Sequence, residues 1–174
     1  MPQLWAGYLT NSLITCMIEG MSGQKMTQIN EIEQRLISRI PKGWGRYISC
    51  NEGWYDILDK LDIKLSYLDP DYSIAQVKEK FGTLRFYFDT KEDGLIRDIM
   101  YDCVRAAEYA SSYTCEYCGN SLGKLQTETG WAKTSCSDCW TKKMEERNRR
   151  DQALTELIKF NEENGLYEND KDLL

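Results

Sequence analysis

The sequence predicts an α+β fold: a small helical domain with a β-hairpin or small antiparallel sheet, then a cysteine-stapled module leading into a C-terminal helix. Three observations predict it. Apolar residues recur at three- and four-residue spacing before residue 70 and again after residue 93. Between those segments, two runs rich in β-branched and aromatic residues meet at Phe81-Gly82. Finally, the pairs Cys115/Cys118 and Cys136/Cys139 are two CxxC motifs separated by seventeen residues, the spacing of a four-thiolate zinc site.

The helical segments come first. Ile29, Ile32, Leu36 and Ile40 mark a helix that Thr27 is placed to cap and Pro41 to stop. A second helix is expected from about Gly53 to Leu68, with Trp54, Leu58, Leu61, Leu65 and Leu68 on one stripe. Asp56, Asp59 and Asp62 fall off that stripe and read as a solvated face rather than a cation site. After Asp69-Pro70-Asp71, Ser73 to Lys80 and Thr83 to Asp89 form the hairpin. Leu84, Phe86 and Phe88 share one face of its second strand, and Arg85, Tyr87 and Asp89 the other. Two strands alone are marginally stable, so helices or a third strand must cover them. Asp93 is placed to cap a third helix running to about Ser111, with Ile96, Ile99, Met100, Cys103, Ala107 and Ala110 inward. Cys103, like Cys16 and Cys50, reads as a core thiol.

That helix delivers the chain to Cys115. Each CxxC is a tight knuckle that supplies two sulfurs about 2.3 Å from the metal, and four thiolates leave no position for a catalytic water. One structural zinc ion on Cys115, Cys118, Cys136 and Cys139 is therefore expected. Residues 122–133 have room for a short hairpin, Trp131 reads as a plug under the metal, and the second knuckle opens a helix through Trp140, Met144, Leu154, Leu157 and Ile158, a treble-clef-like or zinc-ribbon order. The expected units are an N-terminal arm or extension over 1–25, an α+β core over 26–112, the zinc module over 113–141, and a C-terminal helix with an acidic, frayed tail over 142–174. For residues 1–25 the two expectations are an extension, with translation starting at Met21 or Met26, and a short docking arm with Leu4, Trp5 and Tyr8 as its apolar contacts.

Composition narrows the function. The 174 residues contain no histidine, which excludes Ser-His-Asp and Cys-His catalysis, HNH-type nucleases and His-ligated catalytic zinc. Seven cysteines, four of them in metal spacing, fit a reducing compartment and hence the cytoplasm. The apolar run from Leu9 to Ile18 is short and broken by polar residues, so neither a signal peptide nor a membrane span is expected. A net charge of -6 argues against broad DNA binding. From Cys115 to Arg150, however, seven basic side chains face five acidic ones.

Val77-Lys-Glu-Lys-Phe-Gly-Thr-Leu-Arg-Phe-Tyr87, Ala107-Glu-Tyr-Ala-Ser111, Cys115-Glu-Tyr-Cys-Gly119, Gly130-Trp131 and the final CxxC together resemble an uncharacterised family of bacteriophage and prophage proteins. The resemblance spans roughly Gly53 to Trp140. It implies a phage or mobile-element setting, in the host cell cytosol, and zinc on the four cysteines. It implies no activity. The residues themselves favour a non-enzymatic binding module over catalysis, with a partner contacted through Lys78, Lys80, Arg85 and Tyr87 of the hairpin and Lys142, Lys143, Arg147, Arg149 and Arg150 of the last helix. Net acidity favours a protein partner, and the local basic groups leave nucleic acid as the alternative. The competing enzymatic reading is a metal-dependent nuclease or phosphoesterase using Asp71 and Lys78, on a poor match to the PD-(D/E)xK pattern.

Overall fold

Residues 26–43, 45–128 and 130–165 are described by the computed structural model. The expectations for the arm before residue 26, for Cys16, and for the part of the acidic tail beyond residue 165 lie outside the described residues. Helix α1 covers 26–38 and buries Ile29, Ile32 and Leu36, with Ile40 inward just past its end. Because the helix already runs through residue 26, Thr27 lies within it rather than at its cap. A short strand β1 (Ile48–Ser49) and a 3₁₀ turn (Glu52–Trp54) lead into α2 (Tyr55–Leu68). Trp54, Leu58, Leu61 and Leu65 are buried on the expected stripe.

Strands β2 (Ser73–Lys80) and β3 (Thr83–Asp89) form the expected hairpin. The sheet is not purely antiparallel: β1 adds to β2 in parallel, Ile48 opposite Val77, giving the order β1-β2-β3. Two residues are too short a run for periodicity to signal, which is why the third strand is silent in the sequence. Ile74, Val77, Leu84, Phe86 and Phe88 face the core, shared with α1, α2 and α3. The two residues between the strands both have positive φ, Phe81 at 53° and Gly82 at 78°, as a type I′ turn requires. Glycine adopts this freely, whereas a bulky side chain there is uncommon and costs about 1–2 kcal/mol.

Helix α3 (Gly94–Ser111) packs across α2 and β3. Its buried seam is Met100, Val104, Ala107 and Ser111, whereas Ile96 and Ile99 are exposed, so the expected inward face is rotated. The rotation has a polar cause. The Ser111 hydroxyl accepts from Leu84 N (2.9 Å) and the Glu108 carboxylate from Phe86 N (3.1 Å), so α3 satisfies amides on the edge of β3 that would otherwise be bare. Asp93 occupies the N-cap position but makes no side-chain capping bond. Cys50 and Cys103 are half-buried against the core, as expected of core thiols, and burial pushes the Cys50 thiol up to about 12.

The acidic residues of α2 are not a solvated face throughout. Asp62 is 2% exposed and is held by Arg35 Nε at 2.7 Å, Arg39 Nε at 2.6 Å and the Tyr72 hydroxyl. Arg35 also pairs with Asp59, while Asp56 remains exposed. Burial works to raise the Asp62 pKa, but Tyr72, Arg35 and Arg39 more than offset it and hold the carboxyl below its ordinary range. A buried charge must be paired. Here one carboxylate ties α1 to α2 and to the loop entering β2.

The chain ends, within the described residues, in a two-stranded sheet of β4 (Lys124–Glu128) and β5 (Trp131–Ser135), then helix α4 (Ser137–Glu163). Alpha-4 buries none of its residues, as its polar middle leads one to expect. The start of the expected acidic, frayed tail, Glu162 and Glu163, is still helical. No helix among the described residues is long and apolar enough to cross a membrane.

Candidate metal centre

The four cysteines converge. One sulfur from each of Cys115, Cys118, Cys136 and Cys139 lies within 4.8 Å of the other three, and Cys118 Sγ is 3.8 Å from Cys136 Sγ. Four sulfurs about 2.3 Å from a central ion at tetrahedral angles stand about 3.8 Å apart. Among the described residues this is the one group of three or more Cys, Asp or Glu side chains placed to hold a metal.

Local backbone geometry explains the convergence. Gly119 N donates to Cys115 O (2.9 Å) and Cys115 N to Asn120 O (2.7 Å), closing the first knuckle, and Gly119 takes a φ of 77° that glycine alone adopts without cost. Cys136 is the N-cap of α4 and Cys139 sits in its first turn, with Trp140 N donating to Cys136 O at 3.0 Å. Burial opposes ionisation of Cys115, but backbone amides of Cys136, Cys118 and Tyr117 directed at its sulfur hold the thiol below its ordinary pKa. Cys139 is driven the other way, by burial and then by the crowding of Cys136, Cys118 and Cys115. Four thiolates at this separation need a cation between them, so the donor set fits a soft divalent ion and fits it with every ligand position taken.

The centre is joined to the core by residues that motif reading misses. Glu116, inside the knuckle and fully buried, accepts from Asn51 N (3.2 Å) and Asn51 Nδ2 (2.9 Å). Lys133 of β5 lies 3.0 Å from Glu116 Oε2 and 2.8 Å from Glu79 Oε2 of β2. Burial works to lower the Lys133 pKa, but Glu79 and Glu116 more than compensate and hold it above the ordinary lysine value. Gly53 N donates to Glu116 O (2.9 Å), and a Cβ on Gly53 would collide with the carbonyls of Cys115 and Glu116. Trp54 Nε1 donates to Thr114 O (2.8 Å). The hairpin tip docks on the same module through Thr134 Oγ1, which donates to Gly82 O (2.6 Å), while within the hairpin Gly82 N donates to Glu79 Oε1 (2.6 Å). The only sequence signals for this joint are an acid between two knuckle cysteines and the Gly53-Trp54 pair, and neither has a spacing rule.

Trp131, expected as a plug, is half-buried; its ring packs against Trp140, 5.7 Å between centroids, with Arg147 5.6 Å above it. Lys143 pairs with Glu146 and lies 5.6 Å from the Tyr117 ring, and Arg147 reaches Asp151 at 3.7 Å. Lys142, Arg149 and Arg150 are exposed on α4. On the hairpin, Lys78 pairs with Arg85 in register, and Lys80 and Tyr87 share their outward face. Asp71 lies in the turn before β2 and Lys78 five residues beyond that strand's start. At 3.3 Å per residue these groups stand about 15 Å or more apart, so no shared site brings them together.

Comparison with protein-family models, with curated proteins and with solved structures finds no match.

Proposed function

We propose that the protein is a zinc-stabilised, non-enzymatic binding module of a phage or mobile-element system, working in the cytosol. Its knuckle, two-stranded ribbon and helix follow the order of a treble-clef arrangement. The observation that supports this reading best is the closed set of four sulfurs at the point where the hairpin tip, the Asn51–Trp54 segment and α4 meet. A metal there organises shape and has no ligand position for substrate or water. What it organises is a three-stranded sheet with one face in the core and the other turned outward, where a partner can lie.

Elemental analysis of protein purified without added metal tests the first half. The expected result is one zinc per chain, lost together with the folded module in Cys115→Ser; a metal-free folded protein overturns the reading. Incubation with DNA and RNA in Mg²⁺ or Mn²⁺ tests the second half. The expected result is no turnover, and cleavage abolished by Asp71→Ala and Lys78→Ala overturns it in favour of a nuclease.

A further inference from the structure

The outward face of the sheet has a regular chemistry. Gln76 of β2 pairs with Tyr87 of β3, and since Ile48 pairs with Val77 in parallel, Tyr47 falls at the other side of Gln76. Two exposed tyrosines, 60% and 47% accessible, thus flank one amide in a single row across the sheet. They line a hollow of about 320 Å³ together with Gly45, Ala75 and Gln76. The next row is Ser49, Lys78 and Arg85, then Lys80 opposite Thr83, and Phe81 stands at the tip, 73% exposed.

Cations on this face are left without acidic partners. Among the described residues no carboxylate lies within ion-pairing distance of Lys78, Lys80 or Arg85, whereas Arg35, Arg39 and Lys133 on the inner side are all paired. Instead the lysines sit by rings, Lys78 Nζ 5.5 Å from Tyr87 and Lys80 Nζ 5.3 Å from Phe81. Of the acidic residues in β2 and β3, Glu79 is turned to Lys133, and Asp89 lies at the end of the face away from the tip. Phe81 adds a second argument, because an exposed aromatic in a left-handed conformation contributes little burial to offset its backbone cost, a pattern associated with binding sites.

Resting on the reading of the protein as a binding module, we propose that this face takes single-stranded nucleic acid, with bases on Tyr47, Tyr87 and Phe81 and phosphates on Lys78, Lys80 and Arg85. Planar π-faces beside unpaired cations are what an unstacked base and its phosphate need. The Gln76 amide, between the two tyrosines, offers both a donor and an acceptor to a base edge. An acidic peptide would use the cations and leave the row of rings without a role. The negative net charge weakens attraction at long range and leaves these short-range contacts in place.

Fluorescence anisotropy of the zinc-loaded full chain with labelled oligo(dT) and oligo(U) of about twelve nucleotides tests this. Three phosphate contacts give a slope of about -2 in log affinity against log salt, so binding is expected to weaken about 20-fold from roughly 50 to 200 mM salt. Neutralising Lys78, Lys80 and Arg85 to Gln should remove most of that slope. Tyr47→Ala and Tyr87→Ala should each weaken binding by about 5-fold or more. Phe81→Asn should weaken binding while raising the thermal midpoint, since Asn-Gly is the preferred type I′ pair; that opposite movement separates loss of function from loss of fold. Duplex DNA bound as well as single strands, with no effect of the tyrosine variants, overturns the inference. So does loss of binding on neutralising Lys142, Arg149 and Arg150 instead. Face-dependent binding of polyglutamate with none of nucleic acid overturns the inference and leaves the binding-module reading standing. No binding of any of these probes at low salt overturns the nucleic-acid assignment too.

Discussion

Replacing Lys133 by methionine removes the one cation between a buried carboxylate, Glu116, and a half-buried one, Glu79, while keeping the volume of its aliphatic stem. Glu116 is fully buried and Glu79 is 17% exposed at its side chain, so both are left with charge and little water. Breaking a buried pair from one side costs about 3–5 kcal/mol. Lys133 itself is 14% exposed, which admits some solvent screening and sets the expectation at the lower end, about 3 kcal/mol or a loss of roughly 150-fold in the folded-to-unfolded ratio. For a chain of this length that corresponds to a thermal midpoint lower by about 6–12 °C. The assay is urea unfolding of protein prepared with added zinc, the metal proposed for the four cysteines, followed by far-UV circular dichroism and by release of zinc to a chromogenic chelator. Both midpoints are expected to fall together, because the ion triad joins the knuckle to β2. The double variant Lys133→Met/Glu79→Gln should recover part of the loss, as one of the stranded charges is gone. A fall below about 1 kcal/mol, or a double variant no better than the single, would refute the claim that this triad holds the metal module to the core.

Three further outcomes follow from the same geometry. Asp62→Asn should destabilise the protein at neutral pH and flatten its acid limb: the folded-state pKa of Asp62 is depressed, so its contribution is present above the unfolded carboxylate value and lost as pH falls through the folded one, which stability curves of both proteins between neutral and acid pH will show. Lys133 has the opposite sign. Its folded pKa is raised, so its contribution is complete below the unfolded lysine value and declines as pH rises through the folded one, and wild type should lose stability in strong alkali that Lys133→Met has already lost. Gly53→Ala should lower stability by about 1–3 kcal/mol, because the obstacle to its methyl group is the Cys115 and Glu116 backbone rather than a movable side chain; faster zinc release to a chelator at unchanged helix content is the expected signature.

Much of the fold is legible in local pattern. The hairpin boundaries, the stripe on α2 and the two knuckles each rest on a short-range period or a fixed spacing, so residues near in sequence suffice to specify them. Where a partner distant in sequence decides, local pattern misleads. The inward face of α3 turns toward Ser111 and Glu108 because β3 presents unpaired amides, and no periodicity within the helix encodes that. Asp62 looks like part of a solvated acidic face until Arg35, Arg39 and Tyr72 close on it from other elements.

The same division runs through the candidate sites. By itself the sequence determined that four thiolates sit at metal-ligand spacing, since a knuckle is a local turn and its chemistry is carried by the residue type. It also determined, through the pleat, that Lys78 and Lys80 share a face and that Arg85 and Tyr87 share one. Only the tertiary structure decided that these two pairs lie on the same outward face with Tyr47, and that Glu116, Lys133 and Glu79 bind the metal module to the sheet. The reason is that strand register and burial of charge are properties of surfaces meeting in space. The cost of leaving a carboxylate unpaired arises only once the chain has closed around it.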